Sequence, residues 1–334
     1  MTANAKANDR GKHRLNRVQI VARKNGVGID RDVNLIEDAL RDQVDVEWQE
    51  YRDLDSIWSS FARLLVPKKE RQDGCLNLLA ERVPRNAAML RGKVALIPNQ
   101  ERYPRRHLKR LRYVDQVLCK TQHAVEVFSR YAEQATYIGF TSEDRKLDSI
   151  TPDYGRFFHL AGKSTLKGTS MLIDLWSQHP DWPDLTVVQS ASNAPSSVPR
   201  NVRLMTEYLE DESLRALQNQ HGIHLCPSRS EGWGHYIVEG MSCGAVVVTT
   251  DGPPMNELVD ETRGVLVACD RSEPRHLGVN WFVDPSAMQK AIENLLEMSE
   301  KEKSNLGANA RRWFADNHVQ FQSRFRDVVR QLME

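Results

Sequence analysis

The chain has 334 residues, more than one hydrophobic core ordinarily organises and a common length for two domains. Hydrophobic residues make up 40% and charged residues 27%, the balance of a globular protein, and no apolar run approaches the roughly 18–20 residues that span a bilayer. Net charge is +1, yet residues 1–150 hold 28 Lys and Arg against 21 Asp and Glu, leaving 18 against 24 for residues 151–334. A basic first half and an acidic second half bear on partners rather than on fold.

Residues 1–16, basic and polar with no apolar core to follow, are not a secretory signal and read as a disordered tail. Short β-rich apolar runs then alternate with amphipathic stretches. In the first half the predicted strands are Arg17–Ala22, Val44–Trp48, Leu76–Leu79, Val94–Ile97, Gln116–Cys119 and Ala135–Ile138, with helical patterns at Asp30–Leu40 and Thr121–Ala132. The second half repeats the scheme with Phe157–Ala161, Leu185–Gln189, Val202–Met205, Ile223–Pro227, Ala245–Thr249 and Gly264–Val267. Continuous apolar strands alternating with helices imply parallel sheets covered on both faces. The expectation is therefore an α/β protein of two doubly wound, Rossmann-like domains: residues 17–145 and 146–315, joined near Thr141–Asp153. Terminal helices fill Lys301–Glu334, and residues 316–334 are expected to cross back to the first domain.

The five cysteines, Cys75, Cys119, Cys226, Cys243 and Cys269, are scattered with no CxxC pair. They fit reduced thiols in a cytoplasmic protein better than a disulfide frame or a zinc site. No metal-binding pattern is found.

Ligands of doubly wound sheets sit at the carboxyl ends of strands, so three loops matter, those after Ala22, Ala161 and Pro227. The first contains Gly26 and Gly28 ahead of a helix opening at Asp30, either a tight turn or a close approach to a ligand; Arg31 stands where a dinucleotide fingerprint needs its third glycine. The second lies in FFHLAGKSTLKGTS, residues 157–170. Its GKST is half of a phosphate-loop signature, but the glycine required five residues earlier is Phe157, part of the strand itself. Lys163 and Lys167 therefore need another role than triphosphate hydrolysis. The third, PSRSEGWGHYIVEG from residue 227, runs from a strand into a helix expected to begin near Gly232 and end at Gly244. Gly232 and Gly234 leave backbone amides bare at a helix start, which favours an anion such as a diphosphate. Glu231 stands just before the helix and Glu239 about two turns in, each able to accept hydrogen bonds from hydroxyl groups.

EGWGHYIVE resembles the E-x7-E motif of retaining GT-B glycosyltransferases of the group 1, family 4-like type, which use nucleotide-sugar donors. The resemblance is close over residues 155–260 and only architectural in the first half. It implies that Glu231 contacts the donor sugar, that Glu239 holds the ribose, and that the amides around Gly234, His235 and Tyr236 face the sugar and diphosphate. AGKSTLKG stands where the family carries a basic pair, with Lys163 in the arginine position and Lys167 following, so both would clamp the leaving diphosphate. Lysine there gives a point charge rather than a bidentate fork. The turn with Gly26 and Gly28 would approach the donor. The resemblance also implies front-face transfer with retention, closure of two domains over a UDP-sugar, and no metal or other cofactor; a DxD-like carboxylate pair is absent from any suitable loop.

On the acceptor side relatives carry a catalytic histidine after a strand of the first domain. Here that loop reads Pro98-Asn99-Gln100-Glu101. Asn99 or Glu101 is left to orient the acceptor hydroxyl, unless Glu101 merely pairs with an arginine. The catalytic candidates are thus Glu231, Lys167, Lys163 and Glu101. Arg105, Arg106 and Lys109 lie in a basic run from Arg102 to Arg112, either a solvated face or a surface for a polyanionic acceptor. Certain phage-type GT-B enzymes glycosylate hydroxymethylated bases in duplex DNA, and a basic acceptor domain fits them. A saccharide, lipid or small-molecule acceptor is the alternative, with a nucleotide-sugar epimerase and a non-catalytic nucleic-acid-binding protein more distant.

Overall fold

The structure is a computed structural model that describes residues 17–23, 28–50 and 75–334. The tail at 1–16 and Gly26 lie outside the described residues. The first half contributes strands β1 (Arg17–Ala22), β2 (Asp45–Glu50), β3 (Cys75–Glu81), β4 (Lys93–Pro98), β5 (Gln116–Cys119) and β6 (Ala135–Tyr137), with helices α1 (Gly28–Leu40) and α2 (Gln122–Phe128). The second contributes β7 (Asp153–Gly162), α3 (Thr169–Gln178), β8 (Leu185–Gln189), β9 (Val202–Met205), α4 (Asp211–Gln220), β10 (His221–Cys226), α5 (His235–Ser242), β11 (Val246–Thr250), α6 (Met255–Leu258) and β12 (Gly264–Val267). A hairpin β13 (Cys269–Arg275) and β14 (Gly278–Val283), then α7 (Pro285–Glu297) and α8 (Glu300–Met333), complete the chain.

Strands β1 to β12 form two six-stranded sheets, ordered β2-β1-β3-β4-β5-β6 and β12-β11-β10-β7-β8-β9, and every pairing within them is parallel. The reason is visible in strands such as β11, Val-Val-Val-Thr-Thr, buried at every position. A strand with no polar face is stable only between two covering layers. In the second sheet the chain builds outward from β7 to β9, then returns to build outward from β10 to β12. The strand order therefore reverses between β7 and β10, and the crevice at that reversal is where such sheets bind ligands.

One core runs through both halves: Val18, Ile20 and Leu78 of the first, Ile237, Met241 and Val247 of the second, and Phe314, Phe321 and Phe325 of α8. Another lies under the opposite face of the second sheet, with Phe157, Leu172, Trp176, Ile223 and Ile292. α8 is a single 34-residue helix, where the sequence reading expected more than one. Its start is set by a capping box, Ser299 with Glu302, which satisfies end amides reciprocally. Its buried residues Ala310, Phe314, Phe321, Phe325 and Val329 recur on one face. Each of the phenylalanines contributes roughly 1.5–3 kcal/mol by burial. Polar side chains beside them reach the first half: Asn317 Nδ2 donates to Phe140 O at 2.8 Å, Arg324 Nη1 to Ile138 O at 3.1 Å and Arg326 Nε to Ala39 O at 2.7 Å.

Two further expectations need correction. The helix expected to begin near Gly232 begins at His235, because Gly234 holds a left-handed backbone (φ 109°) and serves as its N-cap. The antiparallel hairpin β13–β14 was not foreseen. Its first strand, CDRSEPR, is mostly exposed and charged and contains Pro274, so it carries none of the apolar alternation that marks a strand.

Candidate functional site

At the strand reversal the loops after β7 and β10 meet. Lys167 Nζ lies 2.8 Å from Glu231 Oε1 and 3.1 Å from the centre of the Tyr236 ring. Ser228 Oγ donates to the same Glu231 oxygen at 2.5 Å and lies 2.7 Å from the Tyr236 hydroxyl. Burial pushes the Tyr236 phenol well above its ordinary pKa, so it stays protonated. The carboxylate and the ammonium neutralise one another in a part-buried position.

α5 starts at His235 and carries Tyr236 and Glu239 on its first two turns. Glu239 is 1% exposed, held by Arg31 Nη1 at 2.8 Å and Gln218 Nε2 at 3.2 Å. Its partner Arg31 belongs to α1, so this ion pair joins the two halves. His235 does the same. Its Nε2 is 2.8 Å from Asp32 Oδ1 and its Nδ1 2.9 Å from Ser142 Oγ. Asp32 only accepts, so Nε2 donates, and a neutral ring takes the Ser142 hydroxyl proton at Nδ1. Gly232 is approached by the first half rather than left bare: a Cβ there would lie 2.3 Å from Asn99 Oδ1, and Gln100 Nε2 donates to Glu231 O at 3.0 Å.

Asp32 anchors this junction. Lys120 Nζ donates to Asp32 Oδ2 at 2.5 Å and to Asn99 Oδ1 at 3.1 Å. Burial by itself raises the Asp32 carboxyl, but the Lys120 and His235 contacts outweigh it and hold the group at about 2. Glu101 shows the reverse balance. Burial, assisted by the Glu231 charge, pushes it up to about 7, against its backbone hydrogen bond and the charges of Arg102 and Lys120. Arg102 Nε stands 3.6 Å away, and Oε2 is buried with no hydrogen-bond partner among the described residues. Glu101 therefore has an arginine neighbour, yet one oxygen is left unused.

The predicted residues fall into two groups. Lys167, Glu231, Gly232, Gly234, His235, Tyr236, Glu239, Asn99 and Glu101 converge on the crevice. Lys163 is exposed, and its carbonyl accepts from Asn193 Nδ2 at 3.0 Å. Gly28 opens α1, and none of the described residues lies within 4 Å of where its Cβ would be. Arg105, Arg106 and Lys109 are exposed on a nine-residue 3₁₀ helix, Arg105–Tyr113, whose Arg110 is spent on Val83 O at 2.9 Å and Arg112 on the Tyr113 hydroxyl at 2.8 Å. Sequence reasoning missed Arg31, Asp32, Lys120, Ser142 and Gln218. For Asp32 a signal existed: it occupies the buried stripe of α1 with Ile29, Val33, Ile36 and Leu40. A charge on an apolar helix face marks a partnered group.

The two parallel six-stranded sheets and their covering helices define a GT-B fold. Residues 199–313 match the family described as glycosyl transferases group 1. The GDP-mannose:cellobiosyl-diphosphopolyprenol alpha-mannosyltransferase of Xanthomonas oryzae pv. oryzae is 43% identical over 63 residues, which is 19% of this chain and 17% of that protein. Among solved structures, HepE of Anabaena in complex with UDP superposes with a TM-score of 0.68 at 13% identity, over 94% of this chain and 99% of that one. Sucrose-phosphate synthase from Thermosynechococcus elongatus gives 0.68 at 13% identity, over 95% and 98%. At such identities the likeness is one of fold. Among the described residues no helix is long and apolar enough to cross a membrane.

Proposed function

We propose that the protein transfers a sugar from a nucleotide-sugar donor to an acceptor hydroxyl with retention of anomeric configuration. The observation that carries this reading is the Lys167–Glu231 pair, 2.8 Å apart beneath the Tyr236 ring at the strand reversal. A donor diphosphate offers Lys167 a stronger anion than Glu231. Moving the ammonium to the diphosphate frees the carboxylate to accept hydrogen bonds from sugar hydroxyls. The amides of His235 and Tyr236 at the start of α5 supplement the cation. Glu239 reaches a ribose only if Arg31 moves off it, which ties donor binding to a rearrangement between the halves. As the C1–O bond to the diphosphate breaks and the bond to the acceptor oxygen forms on the same face, the leaving phosphate oxygen takes the acceptor proton. Stabilising that leaving group is the main task of Lys167 and of Lys163. Under the same resemblance the reaction needs no metal or other cofactor.

UDP as the nucleotide and a hexose as the sugar are favoured by HepE, solved with UDP and glucose, while the mannosyltransferase relative uses GDP-mannose. The acceptor is read as polyanionic, from the exposed Arg105, Arg106 and Lys109 of the first half, with a hydroxymethylated base in duplex DNA as one form of it. A saccharide, lipid or small-molecule acceptor is the second form, favoured by the diphosphate-linked acceptor in the relative's name. The test is a thermal-shift panel of UDP- and GDP-sugars, followed by mass spectrometry of DNA, glycan and lipid acceptors incubated with the donor that shifts. A raised melting temperature with one nucleotide sugar and a hexose mass added to one acceptor class are expected. No shift with any nucleotide sugar defeats the reading.

A further inference from the structure

We infer that the hairpin β13–β14 and the loop after β4 together form a phosphate subsite for the acceptor. The acceptor is a small hydroxyl compound bearing a phosphate or diphosphate, gripped by Arg82, Arg106 and Arg275 with its hydroxyl toward Glu101. The inference deepens the transferase reading above and rests on it for the word acceptor.

The hairpin turn is seated on the short 3₁₀ turn Gln100–Arg102. Leu277 N donates to Gln100 O at 3.2 Å, and a Cβ on Gly278 would lie 3.2 Å from Glu101 Cα. Arg275 is directly opposite Gly278 in the ladder, and Asn280 opposite Glu273. Opposed residues of an antiparallel pair, and residues two apart on one strand, share a face. Arg275, Asn280 and Glu273 therefore stand on the face that Gly278 turns toward Glu101.

Five buried polar atoms without hydrogen-bond partners among the described residues gather at this junction: Arg82 Nε, Arg275 Nε, Gln100 Oε1, Glu101 Oε2 and Asn280 Oδ1. Two are guanidinium donors and three are acceptors. Buried polar groups are ordinarily satisfied, because leaving one unpaired costs about 1–3 kcal/mol. A phosphorylated hydroxyl compound supplies both complements: anionic oxygens for the donors and hydroxyl protons for the acceptors. The positive charge is concentrated as well. At the turn, His276 is lowered by burial and then by the nearby charges of Arg275, Arg82 and Arg106. The carboxylates nearby are Glu81, 3.8 Å from Arg82 Nε, Glu273 and the buried Glu101. Glu101 is paired with Arg102 at 3.6 Å and Glu273 with Arg271 at 3.9 Å, so the five arginines Arg82, Arg102, Arg106, Arg271 and Arg275 share three carboxylates, an excess of guanidinium charge suited to a phosphate. The buried Nε atoms favour a small acceptor over duplex DNA, whose backbone meets exposed surface.

The experiment is equilibrium dialysis of labelled inorganic pyrophosphate against the full chain carrying Lys167→Ala, so that the donor site contributes little. One equivalent is expected to bind, about tenfold more weakly when Arg82→Gln or Arg275→Gln is added. Glucose 6-phosphate is expected to compete and a short DNA duplex to compete poorly. In a parallel histidine NMR titration, pyrophosphate is expected to raise the His276 pKa. Pyrophosphate binding that ignores both arginine changes overturns the inference, and so does a duplex that competes better than the sugar phosphate. Donor binding is followed separately as the UDP-sugar thermal shift of the unmodified chain, so failure of the transferase reading shows there and not in the dialysis.

Discussion

The second-half side of the cleft and the junction of the hairpin with the loop after β4 manage charge in opposite ways. Around Glu231 and Glu239 each carboxylate is paired: with Lys167 and Ser228 in one case, with Arg31 and Gln218 in the other. Around Glu101 a carboxyl is buried beside atoms of Arg82, Arg275, Gln100 and Asn280 that have no hydrogen-bond partner among the described residues. The first region is stable as it stands and binds a ligand by exchanging partners. The second carries a standing desolvation cost that a ligand relieves. A satisfied site therefore discriminates by what can displace an internal ion, and an unsatisfied one by what can complete it.

The firmest way to break the satisfied side is through the group that ties its halves together. Asp32→Asn leaves Lys120, 2% exposed, as a buried cation without its anion. Breaking such a pair costs about 3–5 kcal/mol, to be read as a fall in urea midpoint. The pH dependence follows from the depressed carboxyl, about 2 in the folded protein against 3.8. A depressed acid contributes stability that is present above its unfolded value and lost as pH falls toward its folded one. The unmodified protein should lose this contribution between about pH 4 and pH 2, and the variant should lack that step. An identical acid limb in both proteins refutes the assignment.

Lys167→Ala addresses the exchange itself. With the cation gone, Glu231 keeps only Ser228 and the leaving diphosphate loses its closest charge. Transfer should fall about 10²–10³-fold in kcat/KM, the usual cost of removing one preorganised group that stabilises developing negative charge. Folding stability should change little, because Glu231 can be hydrated. Turnover within threefold of normal would remove Lys167 from the mechanism.

These two residues also mark how much was legible in the sequence. Lys167 and Glu231 sit in motifs bounded by strong apolar strands, so strand ends and motif positions together located them. β1, β5, β8, β9 and β12 have the predicted bounds for the same reason: buried parallel strands are apolar runs between polar loops. Asp32 and Lys120 belong to no motif, and their roles depend on how two halves dock, information that one-dimensional spacing does not carry. The hairpin was invisible because its residues are those of a loop. It is held by tertiary contacts such as Trp281 Nε1 donating to Pro253 O at 3.0 Å and Leu277 on Gln100. The loop expected to expose amides at Gly232 accommodates Asn99 for the same reason. A Cβ on Gly232 would meet Asn99, and which atom comes up against a glycine is a property of the docked halves.

Glu101→Gln sharpens the unsatisfied side. A carboxyl raised from 4.5 to about 7 binds its proton more tightly folded than unfolded. Stability from this group is therefore full below pH 4.5 and lost as pH climbs to 7, amounting to about 2 kcal/mol between pH 5 and pH 7. The glutamine variant should be flatter over that window in chemical denaturation. If the ionised carboxylate orients the acceptor, the pH profile of kcat/KM should also rise through about pH 7 and lose that limb in the variant. Parallel stability curves for the two proteins sink the description of Glu101 as a buried acid.

The smallest effect belongs to Lys163, the one expected member of the diphosphate clamp that the fold leaves exposed. Its backbone is fixed, since Asn193 holds its carbonyl and Ser190 N donates to Gly162 O at 2.8 Å, but those contacts do not depend on the side chain. Lys163→Ala should leave stability within about 0.5 kcal/mol, as exposed substitutions do. An ammonium that must travel to the diphosphate is stabilised there at the expense of its hydration and side-chain freedom, so the loss in kcat/KM should be about threefold to tenfold, well short of that for Lys167. Raising salt should narrow the gap between wild type and variant, because an exposed charge is screened where Lys167 is not. A loss equal to that of Lys167→Ala, with the same insensitivity to salt, means that the segment after β7 closes over the donor and makes the two lysines equivalent. The contrast between a prepaired cation and a free one then disappears on the second-half side of the cleft.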